Sequence, residues 1–191
     1  MPITNHDTLV QLLRERSVKT GHFILASGKT SAVYVDARLT TMSPEGMAII
    51  GPAALATFRD KGWNPDSIGG LTLGADPVSY AISYASASSG HPLRGFTVRK
   101  EAKNHGTGNL IEGPYKPGDH VVVIEDVITT GNSALQAIRA IEQTDGTVIG
   151  VLSVVNREEG GETAIRRAGY DVACLTTIRE LLGNLDVTDP L

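Results

Sequence analysis

The chain has one cysteine, Cys174, in 191 residues. It can form no intrachain disulfide. Its place inside the apolar run from Val172 to Leu175 reads as a buried structural thiol rather than a nucleophile. No cluster of cysteines and histidines has zinc spacing. No apolar run approaches membrane-spanning length, so no membrane partner is expected. The amino-terminal stretch MPITNHDTLVQLLRERS has neither a long apolar core nor a small-residue cleavage site. No signal peptide is therefore expected, and the cytoplasm is the default location. Basic residues are not in excess: 17 Lys and Arg against 21 Asp and Glu give a net charge of −4. That balance argues against nucleic acid as the main partner, although a local basic site fits on an acidic protein. Repeats, low-complexity tracts and interdomain linkers are also lacking.

What is present suits one soluble domain with a sizeable core: 41% of residues are hydrophobic and 20% charged. Residues 7–18 place Leu9, Val10, Leu12 and Leu13 on one side, an amphipathic helix. Residues 21–38 read as a hairpin around Ser27-Gly28-Lys29. Ser43-Pro44 starts a helix that Gly62 stops. Beyond it, strands at 67–71, 94–98, 120–124, 147–155 and 172–176 alternate with helices at 77–88, 132–143 and 161–168 and a closing helix. A long polar loop covers 99–117. This alternation predicts an α/β fold, with right-handed crossovers and a mainly parallel sheet flanked by helices. The expected organisation is a single domain over 1–191. Residues 1–40 form a small N-terminal hood and 41–191 the α/β core.

The most informative stretch is VVVIEDVITTGNS, residues 121–133. A β-branched apolar strand ends in two carboxylates, Glu125 and Asp126. After Val127 and Ile128 comes a short hydroxyl- and glycine-rich turn: Thr129, Thr130, Gly131, Asn132 and Ser133. A helix begins there. Backbone N–H groups and the positive end of the helix dipole suit one phosphate. The two acids cannot bind that phosphate directly, so they fit vicinal hydroxyls or a divalent cation. A sugar phosphate satisfies both halves. The bland alternative is a strand–turn–helix with surface acids at the strand end.

This stretch resembles the phosphoribosyl-pyrophosphate (PRPP) signature of type I phosphoribosyltransferases. The resemblance implies that Glu125 and Asp126 hold the ribose hydroxyls and that residues 127–133 hold the 5-phosphate. It also implies Mg2+ as cofactor, held mainly through PRPP, with Asp126 as a candidate contact.

The long loop reads Arg99-Lys100-Glu101-Ala102-Lys103-Asn104-His105-Gly106-Thr107-Gly108-Asn109. Its cations suit a polyanion and its glycines a hinged lid, since loops this long are usually functional or disordered. It is similar to the catalytic loop of the orotate-specific phosphoribosyltransferases. By that resemblance Arg99, Lys100, Lys103 and His105 grip pyrophosphate, with Lys103, His105 and Asp126 as the catalytic set. Lys103 and His105 would serve the partner's site in a homodimer.

Residues 69–77, Gly-Gly-Leu-Thr-Leu-Gly-Ala-Asp-Pro, let backbone approach a ligand closely or simply form a tight turn. In the family this is the pyrophosphate loop, with Leu73 and Gly74 as backbone contacts. Family members with a lysine there leave Gly74 as a departure, and Asp76 stands as a further metal candidate. Arg157, in Asn-Arg-Glu-Glu-Gly at a strand's carboxyl end, has the chemistry to fork onto a carboxylate. The family's arginine there binds orotate, as would Thr129. The block Phe23 to Asp36 matches the family's base-recognition segment. Tyr34 and Val35 would line the base, and Ala26 stands where some members carry lysine. Tyr34 also reads as a plain core aromatic.

The implied activity is transfer of a phosphoribosyl group from PRPP to orotate. The alternatives are a regulatory PRPP sensor, which would need a basic face or an added domain, and an enzyme for another base, which would have no use for Arg157.

Overall fold

A computed structural model describes residues 5–24, 30–101 and 110–183. In chain order its elements are α1 (Asn5–Arg16), β1 (Val18–Ile24), β2 (Thr30–Val35), α2 (Arg38–Thr41), α3 (Pro44–Lys61), β3 (Ser67–Leu71), α4 (Ala75–Ser86), β4 (Arg94–Val98), β5 (Ile111–Glu112), β6 (His120–Ile128), α5 (Asn132–Glu142), β7 (Thr147–Asn156), α6 (Gly161–Arg167), β8 (Val172–Thr177) and α7 (Ile178–Leu182). The expected signals set several boundaries. Ser43 caps α3 by accepting from the Gly46 N–H at 3.1 Å, and Pro44 follows it. Gly62 stops the same helix in the left-handed conformation at φ 67°.

The main sheet has the order β5-β4-β3-β6-β7-β8. Five strands are parallel, and β5 pairs antiparallel with β4 at the edge. Parallel strands must be covered on both faces, and they are. Val122 and Ile124 of β6 face a cluster with Leu9, Ile50, Phe58 and Ile82. Val121 and Val123 face the opposite cluster, with Phe96, Ile138, Ile141 and Ile165. The period-two alternation of one strand therefore feeds two cores. Each fully buried aliphatic side chain contributes roughly 1.5–3 kcal/mol.

β1 and β2 form a separate antiparallel pair. The Asp36 N–H donates to the Ser17 carbonyl at 2.9 Å, closing the base of the pair, and the Ser17 hydroxyl lies 2.7 Å from that of Thr40 in α2, which ties it to the core. The predicted hairpin turn, with Ala26 and Ser27-Gly28-Lys29, lies outside the described residues.

Four expectations change. The loop at 99–117 contains β5, too short to leave a periodic signal. The four-residue helix α2 was hidden for the same reason. The strand predicted to end at Ile124 continues to Ile128, because β7 pairs alongside through Asn156. Glu125 and Asp126 therefore belong to the strand itself. Finally, Gly70 serves the fold rather than a ligand: a Cβ there would lie 2.0 Å from the Ile124 carbonyl.

From β3 the chain steps outward to β4, then returns to β6 on the other side of β3 and continues to β8. The strand order reverses between β3 and β6. In open α/β sheets the crevice beyond the carboxyl ends at such a point is where ligands bind.

Candidate active site

A cleft of about 360 Å³ opens at that reversal. β3 supplies Leu71 and the turn Thr72, Leu73 and Gly74. β6 and its loop supply Glu125, Asp126, Val127, Thr129 and Ser133, and the segment after β7 supplies Arg157. Tyr34 and Val35 of β2, with Asp36, Ala37 and Arg38, form the facing wall, and Lys100 lies on the rim. The two ligand halves expected from sequence, phosphate loop and base wall, thus share one cavity.

The carboxylate pair is the electrostatic centre. Glu125 is only 6% exposed. Burial, and then the charge of neighbouring Asp126, holds its carboxyl well above the ordinary range. Burial also raises Asp126, against the pull of the Val127 N–H, which donates to its Oδ1 at 2.9 Å. A pair this poorly solvated favours a ligand that brings hydroxyl donors or positive charge.

Gly74 explains how Asp126 reaches this position. A Cβ at residue 74 would lie 2.4 Å from Asp126 Oδ1 and 2.5 Å from its Cγ. The carboxylate occupies the space a side chain would need, so any side chain at 74 would require the Asp126 carboxylate to move. Leu73, 53% exposed and lining the cleft, is the position of this turn that faces outward.

The phosphate loop is held from below. Gly131 adopts φ 82° and caps α5. The Gly161 N–H donates to the Thr129 carbonyl at 3.0 Å, and a Cβ on Gly161 would lie 2.6 Å from that oxygen. Gly161 was missed in sequence because its role is visible only across two loops. Ile128 faces the core, 1% exposed, and its carbonyl accepts from the Arg157 N–H at 2.9 Å. Thr130 and Asn132 are exposed outside the cleft lining, and Gly131 is buried.

Arg157 has a side chain only 9% exposed. Its Nε and Nη2 donate to Glu159 Oε1 at 3.0 and 2.7 Å. Tyr34 is 38% exposed and packs on Phe23 with centroids 5.6 Å apart, a cleft wall rather than a core aromatic. Asp76 departs from its expected part as metal candidate. Thr72 and Thr97 hydroxyls donate to its two oxygens at 2.7 and 2.8 Å, which makes it a brace between turn and sheet. Arg99 lines an adjoining depression with Thr72, Thr97, Lys100, Glu101 and Glu112, and lies 3.8 Å from Glu112. Lys103 and His105 lie outside the described residues. Among the described residues no group of three or more His, Cys, Asp or Glu is placed to hold a metal ion.

The phosphoribosyl transferase domain family matches residues 41–181. A curated orotate phosphoribosyltransferase of Aquifex aeolicus is 44% identical over 185 residues, covering 95% of this chain and all of the relative. That of Mycobacterium avium is 45% identical, covering 92% and 95%. Among solved structures, orotate phosphoribosyltransferase of Mycobacterium tuberculosis in complex with Fe(III) dicitrate superposes with a TM-score of 0.83 at 40% identity, covering 93% of this chain and 99% of that one. The same enzyme in complex with PRPP gives 0.79 at 36%, with the same coverage. The matched family model and these relatives, together with the fold, settle the family: the protein belongs to the phosphoribosyltransferase family, in its orotate phosphoribosyltransferase branch.

Proposed function

We propose that the cleft between β3 and β6 is where PRPP and orotate meet. The protein transfers the 5-phosphoribosyl group of PRPP to orotate, giving orotidine 5′-monophosphate and pyrophosphate in pyrimidine synthesis. The observation that carries the site assignment is the single cavity shared by Glu125, Asp126, Thr129, Tyr34 and Arg157. Glu125 and Asp126 accept from the ribose hydroxyls. Backbone N–H groups of residues 127–133 and the start of α5 hold the 5-phosphate. Tyr34 and Val35 cover the flat base; Ala26, the remaining sequence candidate for it, lies outside the described residues. Arg157 and Thr129 take the orotate end.

Displacement at the anomeric carbon leaves positive charge on the ribose while negative charge grows on pyrophosphate. The buried Glu125–Asp126 pair lies on the ribose side, where negative charge stabilises that state. Orotate is already an anion and a competent nucleophile, so no strong general base is required. The lid residues Arg99, Lys100, Lys103 and His105 neutralise the leaving group and exclude water, which would otherwise capture the ribosyl cation. Mg2+, when bound, supplies further neutralisation of the pyrophosphate. The donor chemistry fits an ion carried in by the substrate, because Asp126 offers one half-buried carboxylate rather than a full oxygen cage.

The enzyme works in the cytoplasm as a homodimer in which Lys103 and His105 complete the partner's site. No helix among the described residues is long and apolar enough to cross a membrane. Loss of orotate absorbance on adding PRPP and magnesium, with adenine, hypoxanthine and uracil as competing acceptors, tests the function. Equal use of a neutral base would overturn the assignment of Arg157.

A further inference from the structure

The cleft must accept a substrate carrying both a phosphate and a pyrophosphate, each strongly anionic. Yet the charged side chains lining it among the described residues are balanced. Asp36, Glu125 and Asp126 oppose Arg38, Lys100 and Arg157. Arg157 is engaged by Glu159 on the base side. Gly74 contributes no cation, and Leu73 beside it is apolar. The 72–74 turn therefore brings no cation of its own to the pyrophosphate, and on the side away from the proposed lid residues Arg38 is the cation that borders it among the described residues.

Arg38 is placed to do so. It lines the main cleft with Leu73, Gly74 and Asp126, and it also lines the small neighbouring depression with Leu39, Met42 and Leu73. It thus shares both depressions with Leu73. Asp36 grips its inner edge, accepting from Nε at 2.8 Å and from Nη2 at 3.0 Å. Those two bonds fix the plane of the guanidinium. Nη1 and the second Nη2 proton have no hydrogen-bond partner among the described residues. That is the edge that suits two phosphate oxygens. The charge of Arg38 is also felt at Asp126, whose carboxyl it helps to hold ionised.

We infer that Arg38 is a substrate-binding residue for the pyrophosphate moiety of PRPP, held in orientation by Asp36, and that it supplies the cation missing from the 72–74 turn. This rests on the placement of PRPP in this cleft.

Steady-state kinetics and binding of magnesium pyrophosphate should be measured on Arg38→Ala, Arg38→Lys, Asp36→Asn/Arg38→Ala and Lys100→Ala. Losing a charge-assisted contact predicts a rise of about tenfold or more in KM for PRPP with Arg38→Ala. Pyrophosphate affinity should weaken in parallel, with KM for orotate within about twofold. Arg38→Lys should recover part of the loss. The double variant separates two causes. If removing Asp36 as well restores PRPP binding, Arg38 serves only to mask Asp36 and the inference fails. An equal rise in both KM values together with a lowered Tm would also overturn it, as would unchanged PRPP and pyrophosphate binding. Loss with Lys100→Ala but not Arg38→Ala would remove Arg38 alone, whereas loss with neither would count against the placement of PRPP itself.

Discussion

Glu159 Oε1 accepts from both Nε and Nη2 of Arg157, at 3.0 and 2.7 Å, and so holds one edge of a guanidinium that belongs to the cleft lining. Arg157 is buried and cannot reorient cheaply, while Glu159 is 40% exposed. The contact fixes a buried cation at the cleft, as the proposed role of Arg157 towards the orotate carboxylate requires.

Arg157→Ala should raise KM for orotate far more than for PRPP. Loss of a charge-assisted fork costs roughly 1.5–3 kcal/mol, about tenfold to a hundredfold in kcat/KM. Glu159→Ala should show a smaller effect of the same selectivity, and Glu159→Gln, which keeps an acceptor, should stay near wild type. Steady-state kinetics with each substrate varied decide this. A Glu159→Ala enzyme with tighter orotate binding would show that Glu159 competes with substrate instead of orienting Arg157.

Asp126→Asn should sharply lower kcat/KM for PRPP without unfolding the protein. Gly74→Ala should do the same by a different route, since its Cβ would displace the Asp126 carboxylate. Thermal melts together with PRPP kinetics test the pair. A Gly74→Ala enzyme with normal PRPP use would mean that Asp126 yields without consequence.

Glu125 is the opposite case, a group whose function costs stability. Its folded carboxyl binds a proton more tightly than in the unfolded chain. The unliganded fold must then lose stability as pH rises above the ordinary carboxylate range, until the folded group itself ionises. Glu125→Gln should raise Tm at neutral pH by roughly 2–4 °C per kcal/mol regained, while abolishing efficient PRPP use. PRPP binding should release protons from the wild-type pair, because ribose hydroxyls donate to the ionised form. Calorimetry in buffers of differing ionisation enthalpy reads that release, and Glu125→Gln should reduce it. Net proton uptake would contradict the assignment.

The dimer and its lid are tested by mixing two inactive enzymes, Lys103→Ala and Asp126→Asn. Random reassortment makes about half the dimers mixed, each with one intact site if the lid crosses the interface. About a quarter of wild-type activity should return. No recovery, with mixed dimers confirmed by mass spectrometry, would mean that each lid serves its own subunit.

The alternation that placed β3, β4, β6, β7 and β8 is legible because buried parallel strands leave continuous apolar runs. The phosphate loop is legible because its chemistry is local, thirteen consecutive residues from Val121 to Ser133. What escaped was non-local or short. β5 spans two residues. Asp36 and Arg38 sit two apart at the edge of a four-residue helix, with no periodicity to mark them. The grip of Gly161 on Thr129 joins loops from different crossovers, and Asp76 braces the Thr72 turn against Thr97 in the neighbouring strand β4. Asp76 was read as a metal candidate because a lone carboxylate near a glycine turn looks the same whether it faces a cation or two hydroxyls.

The reversal of strand order between β3 and β6 divides authorship of the cleft. In the proposed arrangement ribose and phosphate are addressed by β6 and the helix after it, and the base by β2, the short turn beyond β7 and Thr129. These pieces touch one cavity but lie on separate stretches of chain. In that arrangement most of the acceptor wall is separable from the donor site, Thr129 being shared by both: exchanging the five residues Asn156 to Gly160, with the wall at Tyr34 and Val35, is the graft expected to shift this scaffold towards another nucleobase.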